Sequence, residues 1–254
     1  MKAIWTISAL TFKEAVRNRF LYLLFFFCLS LICFSLVIGR LTVGDELKII
    51  KDLGISSIHF FGVMITIFIG IGLVFREMEK RTIYLILSKP VTRYQFLLGK
   101  FGGLAITLFV VLVALVAAFY FVLFLRGDPN PRLLLAFYLT YLEWLMVAAV
   151  ALLFSSFSTP LLSAMLTLAT FLMGHLTESF FLLQKRIAST LVNLILSGLF
   201  YVLPNLELFN IRAQVVHNLA LPPHFVMQTS LYWLLYLSTL LLGSIWVFQK
   251  KDFV

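Results

Sequence analysis

Apolar runs of about twenty residues dominate this chain, and short segments between them hold most of its charge. A helix rises 1.5 Å per residue, so about 20 residues cross a hydrocarbon core of about 30 Å. Five runs meet that length with no Lys or Arg inside: Phe20 to Ile38, Ser57 to Phe75, Phe101 to Leu125, Leu133 to Phe154 and Leu231 to Phe248. A sixth, Leu161 to Phe181, is slightly more polar. The first run follows Lys13, Arg17 and Arg19 but lacks a small-residue cleavage site, so it reads as a retained span rather than a signal peptide.

Two further segments have a different pattern. Between Lys2 and Arg19, Trp5, Phe12 and Val16 form one helical stripe with Ile4, Thr11 and Ala15 beside it. Lys13 and Arg17 project from the other side, the pattern of an amphipathic helix lying in the interface. Ile187 to Leu203 is apolar but interrupted by Ser189, Thr190, Asn193, Ser197 and Gly198, and Pro204 ends it. That run is short for a crossing and reads as a re-entrant or interfacial helix.

Composition sharpens the picture. The chain is 62% hydrophobic and 12% charged, against about 45–50% and 25% in soluble domains. A soluble fold of this length has too little interior for so much Leu, Phe, Val and Ile, whereas lipid accepts apolar side chains on every outward face. The net charge of +9 does not mark a nucleic-acid binder, because Lys and Arg are scattered between spans. With the N-terminus inside, twelve Lys and Arg fall in cytoplasmic segments and eight outside, the bias expected of cytoplasmic loops. Both termini are therefore expected in the cytoplasm. Cys28 and Cys33 lie about 140° apart around one helix and cannot pair there.

The predicted class is an all-α polytopic membrane protein, one transmembrane domain over residues 1–254 with six spans. Between spans five and six, Pro204, Pro222 and Pro223 break the pattern near apolar runs, which suits a plug or lateral gate in the external segment.

The most informative polar stretch joins spans two and three. Arg76, Glu77, Glu79, Lys80 and Arg81 precede Thr82 and a short apolar run, Ile83 to Leu87, which is too short to span and is closed by Pro90. Thr92 with Gln95 fits a capping box at the start of the next helix. A charged surface helix pinned between two spans would give a cytosolic partner a handle, since a push on it tilts both spans.

Here the residues resemble the permease subunits of type-2, export-class ABC transporters. In that family an acidic cluster after the second span runs into Thr, an apolar stretch, Ser-x-Pro and Arg, then a Leu-Gly-Lys entry to span three. This chain has Glu77, Glu79, Thr82, Leu85 to Ser88, Pro90, Thr92, Arg93, Leu98, Gly99 and Lys100. Arg81 departs from the glycine of many relatives. The resemblance implies a coupling helix carrying Glu77, Glu79, Arg81, Thr82, Pro90 and Arg93, docked on a separate ABC ATPase subunit. It also implies short external helices between spans five and six, two ATPase copies, a second permease copy, identical or related, and residence in a bacterial or archaeal cytoplasmic membrane. The chain has no G-x-x-x-x-G-K-[ST] phosphate loop: its only Gly-Lys pair, Gly99-Lys100, is followed by Phe101. It is therefore expected not to be an enzyme and to hold no cofactor, with ATP and Mg2+ bound by the partner.

Few ionisable groups are expected within the spans apart from Glu143 and His175. An acidic side chain at mid-span costs about 2.5–3.5 kcal/mol on insertion scales, so Glu143 needs a function on a substrate path or gate, or a Tyr or Ser partner. His175 and Glu178 share a helix face and can bind a cation or bond each other; two residues do not make a metal site, and with Glu143 they are candidates for the translocation path or gate. No nucleophile elbow or H-E-x-x-H pattern is present. The sequence thus points to an exporter permease, or alternatively to a non-transporting membrane anchor that transmits ATPase force to a periplasmic accessory protein.

Overall fold

The computed structural model describes residues 2–41, 45–79, 92–128, 130–177, 179, 193, 197, 198, 200 and 202–250, with backbone alone for 73, 74 and 76–79. Among these the regular structure is helical. In order, the helices are α1 (Lys2–Val16), α2 (Arg19–Leu41), α3 (Glu46–Glu79), α4 (Arg93–Leu125), α5 (Leu133–Ser155) and α6 (Pro160–His175). A 3-10 turn (Glu207–Phe209), α7 (Arg212–Val216) and α8 (Phe225–Lys250) follow.

Every span expected from the apolar pattern has a helix, and most run longer than the apolar core alone. Charged residues at a span's end meet water and head groups, so the helix extends past the hydrocarbon without cost. Five helices, α2, α3 through Gly72, α4, α5 and α8, are long and apolar enough to cross a membrane. The sixth expected crossing falls on α6, an apolar helix of 16 residues or about 24 Å, shorter than those five. The expected re-entrant helix over 187–203 lies almost entirely outside the described residues. Between α6 and α8 lie the three-residue 3-10 turn and the five-residue α7.

α5 is the centre of the bundle. It is apolar all round, and every residue from Leu142 to Leu152 is buried, as expected of a helix surrounded by others. α3, α4, α6 and α8 pack around it.

α1 behaves differently from the amphipathic stripe read in the sequence. Its buried face is Ser8, Thr11 and Ala15, while Trp5 faces outward. The reason is a glycine seam on α4: a Cβ at Gly99 would lie 2.7 Å from Ile7, and one at Gly103 would lie 2.5 Å from Thr11 Cβ. Small residues spaced by four let two backbones approach closely in lipid. Ser8 Oγ then donates to the Gly99 carbonyl at 2.9 Å, and the buried Lys100 reaches Glu14 at 3.3 Å. Lys13 and Arg17 remain exposed, on the side expected.

Two ties close the end of the bundle opposite the α3–α4 connection. Glu46 pairs with Arg126 at 2.7 Å, and Lys51, buried on α3, pairs with Asp128 beyond α4. At the other end, the backbone N–H of the N-cap Thr92 donates to Gln95 Oε1 at 3.2 Å, the Gln half of the expected capping box.

Candidate functional site

The polar centre of the bundle is built by four elements. Glu143 comes from α5 and is 1% exposed. Its Oε2 lies 2.8 Å from His59 Nε2 on α3, and its Oε1 lies 2.9 Å from His175 Nε2 at the end of α6. His175 Nδ1 lies 3.0 Å from Glu207 Oε2 on the 3-10 turn. The partners of the buried carboxylate are thus two imidazoles rather than a Tyr or Ser.

Local sequence explains why the turn reaches the site. Gly174 has no side chain, so the 204–206 backbone can lie against α6; a Cβ there would meet the Pro204 carbonyl at 2.8 Å. Leu206 N–H donates to the Gly174 carbonyl at 3.1 Å. Asn205 organises the turn: its N–H donates to the Tyr232 hydroxyl at 2.8 Å, and its Oδ1 accepts from Thr177 Oγ1 at 3.1 Å and from Glu207 N–H at 3.2 Å. Asn210 Nδ2 donates to the remaining oxygen of Glu207 at 3.0 Å. Glu207 is therefore held on both oxygens, with one directed at His175.

The rings are equally constrained. His59 and His175 meet edge-on with centroids 5.7 Å apart, and Phe171 packs against His175 at 4.8 Å. These groups wall a cavity of about 180 Å³ that also touches Thr140, Asn210 and Arg212. Arg212 is turned to the rim, where its Nη1 donates to Ser56 Oγ at 2.6 Å and its Nε lies 3.2 Å from Asp52.

Of the residues singled out in the sequence, Glu143 and His175 come together. Glu178 lies outside the described residues, so its expected pairing with His175 is not seen there. His59 escaped the sequence reading, and Glu207, placed by it only in the external segment, was not joined to His175. His59 sits inside the second apolar run and corrects the expectation that the spans carry few ionisable groups beyond Glu143 and His175. An imidazole at that position was a detectable signal. Glu207 carried none, since nothing in the spacing of residues 175 and 207 brings them together.

The expected coupling residues divide by position. Glu77 and Glu79 occupy the last turns of α3, where the backbone alone is described. Arg81, Thr82 and Pro90 lie outside the described residues. Arg93 begins α4 and donates from Nη1 to the Gln249 carbonyl at 2.7 Å and the Phe248 carbonyl at 3.3 Å. It thereby caps the C-terminal end of α8, where orphan carbonyls and the helix dipole favour a cation. Phe96 stacks on Phe248 with centroids 5.9 Å apart and seals the same junction.

A search among curated proteins finds no match. The family described as "ABC-2 family transporter protein" matches residues 5–253, which takes in all the helices from α2 to α8 and most of α1. An all-helical bundle with five membrane-length helices, built around one central span, agrees with it. The chain belongs to the ABC-2 family of transporter membrane proteins.

Proposed function

We propose that this chain is the permease subunit of an ABC exporter, coupled through the segment between α3 and α4 to ATP hydrolysis in a separate subunit. The observation that carries the reading is the family match over nearly the whole chain, joined to the charged motif from Glu77 to Arg93. Two permease chains and two ATPase chains form the working unit, in a bacterial or archaeal cytoplasmic membrane with both termini inside. ATP and Mg2+ belong to the ATPase.

The helix lengths support a lever. α3 has 34 residues and α4 has 33, about 50 Å each, against a hydrocarbon core of about 30 Å. Both outrun the bilayer, and the expected docking segment joins them. α3 also carries Glu77 and His59 on one element, about 27 Å apart along its axis. A push near Glu77 and Glu79 is therefore transmitted to the His59–Glu143 contact midway along α3. Arg93 brings α8 into the same movement through its cap on Gln249. In this mechanism ATP binding draws the two docking segments together and the paired permeases rock, releasing a substrate from the cytoplasm or inner leaflet.

Co-purification with the ATPase tests the reading. Wild-type chain retains the ATPase, and the double reversal Glu77→Lys/Glu79→Lys releases it while leaving the permease folded. Retention by the reversed variant removes those two carboxylates from the interface. Cysteine labelling at Ser88 from outside intact cells would place the segment on the wrong side and overturn the coupling mechanism.

A further inference from the structure

We propose that His59, Glu143 and His175 form a binding site for one divalent transition-metal ion of the zinc class, with Glu207 as the outer carboxylate that orients His175. The ligand atoms offered by the three residues lie within 4.8 Å of one another, and they come from three different helices. The proposal goes beyond the permease reading and does not depend on it.

The first argument is a proton count. Three nitrogen–oxygen contacts meet here: His59 Nε2 to Glu143, His175 Nε2 to Glu143, and His175 Nδ1 to Glu207. A neutral imidazole has one N–H, so a neutral His175 bonds one carboxylate and turns a lone pair toward the other. A cation between the two Nε2 atoms and Glu143 removes the conflict. It takes the lone pairs of both rings and the charge of the carboxylate, and leaves the Nδ1–H of His175 for Glu207. That carboxylate–histidine–metal relay is the usual arrangement around histidine ligands, where the outer acceptor fixes the tautomer and raises the basicity of the ring.

The second argument is charge. Glu143 is 1% exposed and sits on a central helix in a membrane protein, where an isolated carboxylate is costly. The nearest fixed cation on the cavity wall, Arg212, is engaged by Asp52 and Ser56. Two carboxylates, Glu143 and Glu207, then face the two imidazoles, and a dication balances them.

The third argument concerns ligand type and space. Two imidazoles and one carboxylate suit Zn2+, Co2+ or Ni2+ rather than Mg2+ or Ca2+, which require oxygen shells. Ligands of a tetrahedral zinc lie about 3.3 Å apart when each bond is about 2.0–2.1 Å. The nitrogen–oxygen separations of 2.8 to 2.9 Å must open by a few tenths of an ångström, and the two ring nitrogens lie within 4.8 Å of each other. Both rings border the cavity of about 180 Å³, which provides that room and leaves a fourth position for water or another ligand.

The test uses the full-length chain, purified in detergent, stripped with chelator and titrated with Zn2+ alone. The expected result is one Zn2+ per chain, a Tm that rises with Zn2+ but not with Mg2+, and loss of high-affinity binding in His59→Asn/His175→Asn. Glu207→Gln should weaken binding by about 10–100-fold without abolishing it, as an outer-sphere partner does. His217→Asn/His224→Asn, which changes the two exposed histidines outside the cluster, should bind as wild type does. Where a cluster variant fails to fold, the wild-type chain loaded with Co2+ decides, because a four-coordinate site gives intense visible absorption and an octahedral ion does not. Failure of the wild-type chain to bind Zn2+, Zn2+ binding retained in folded His59→Asn/His175→Asn, or only weak octahedral Co2+ absorption would each overturn the proposal. None of these readouts requires transport or the ATPase.

Discussion

Gly62 of α3 lies directly against the indole of Trp144 on α5, so close that a Cβ at residue 62 would overlap the six-membered ring. Trp144 is fully buried, and it follows Glu143 in the chain as Gly62 follows His59 by less than one turn. The close approach of these two helices is therefore what brings the His59 ring to the Glu143 carboxylate.

Gly62→Ala should destabilise the bundle by about 1–3 kcal/mol, the usual cost of overpacking a filled interior. Thermal unfolding in detergent, followed by far-UV circular dichroism, measures it in every variant. Gly62→Ala combined with Trp144→Phe should recover part of the loss, because the smaller ring leaves space for the methyl group. Equal loss in the single and double variants would mean that the contact does not set the helix spacing.

Gly103→Leu should detach α1 from α4. A Cβ at this position already meets the Thr11 Cβ at 2.5 Å and the Ser8 carbonyl at 2.6 Å; the carbonyl is backbone and the Cβ is fixed to its own Cα, so neither can swing aside like the end of a flexible side chain. Amide exchange through residues 2–16 should accelerate, while exchange in α5 should stay slow. A disulfide engineered between Ser8→Cys and Gly102→Cys, where a Cβ at 102 lies 3.7 Å from the Ser8 Cβ, should hold α1 in place.

Arg93→Ala should fray the last turn of α8, because the Phe248 and Gln249 carbonyls lose their shared donor. The expected cost is about 0.5–2 kcal/mol, the range for a cation at a helix C-terminus. Arg93→Lys should restore part of it as a point charge without the second donor geometry. Hydrogen exchange at residues 246–250 reads the change locally.

Asp128→Asn should destabilise the chain more than Lys51→Met/Asp128→Leu. Lys51 is 5% exposed, so removing its partner strands a buried ammonium, whereas removing both charges leaves apolar groups in their place. Because Asp128 is about one-third exposed, water screens the pair, and the loss should stay near 1–2 kcal/mol rather than the larger values of fully buried pairs. Chemical or thermal denaturation of the two variants side by side gives the order.

Crossings and chemistry differ in what makes them legible in a sequence. A membrane span is a local property: about twenty apolar residues must satisfy every backbone hydrogen bond internally, so Phe101 to Leu125 or Leu133 to Phe154 can be read without knowing any neighbour. The capping pair Thr92 and Gln95 is local for the same reason, whereas the close approach at Gly99 and Gly103 depends on a neighbour, α1. The stretch from Glu77 to Arg93 carried the family resemblance because its motif is contiguous.

The sequence alone thus determined that this is a helical membrane protein of a transporter family, that Glu143 sits inside a span, and that His175 lies near the end of another. Only the tertiary structure decided that His59 and Glu207 join them, that α1 rests on α4 through Ser8 and Thr11, and that Arg93 holds α8. Apolar periodicity states how a helix faces lipid or core, but many rotations and pairings of greasy helices share that pattern. Which imidazole meets which carboxylate is set by side-chain volume at contacts such as Gly62 with Trp144, and that information exists only when the helices are packed.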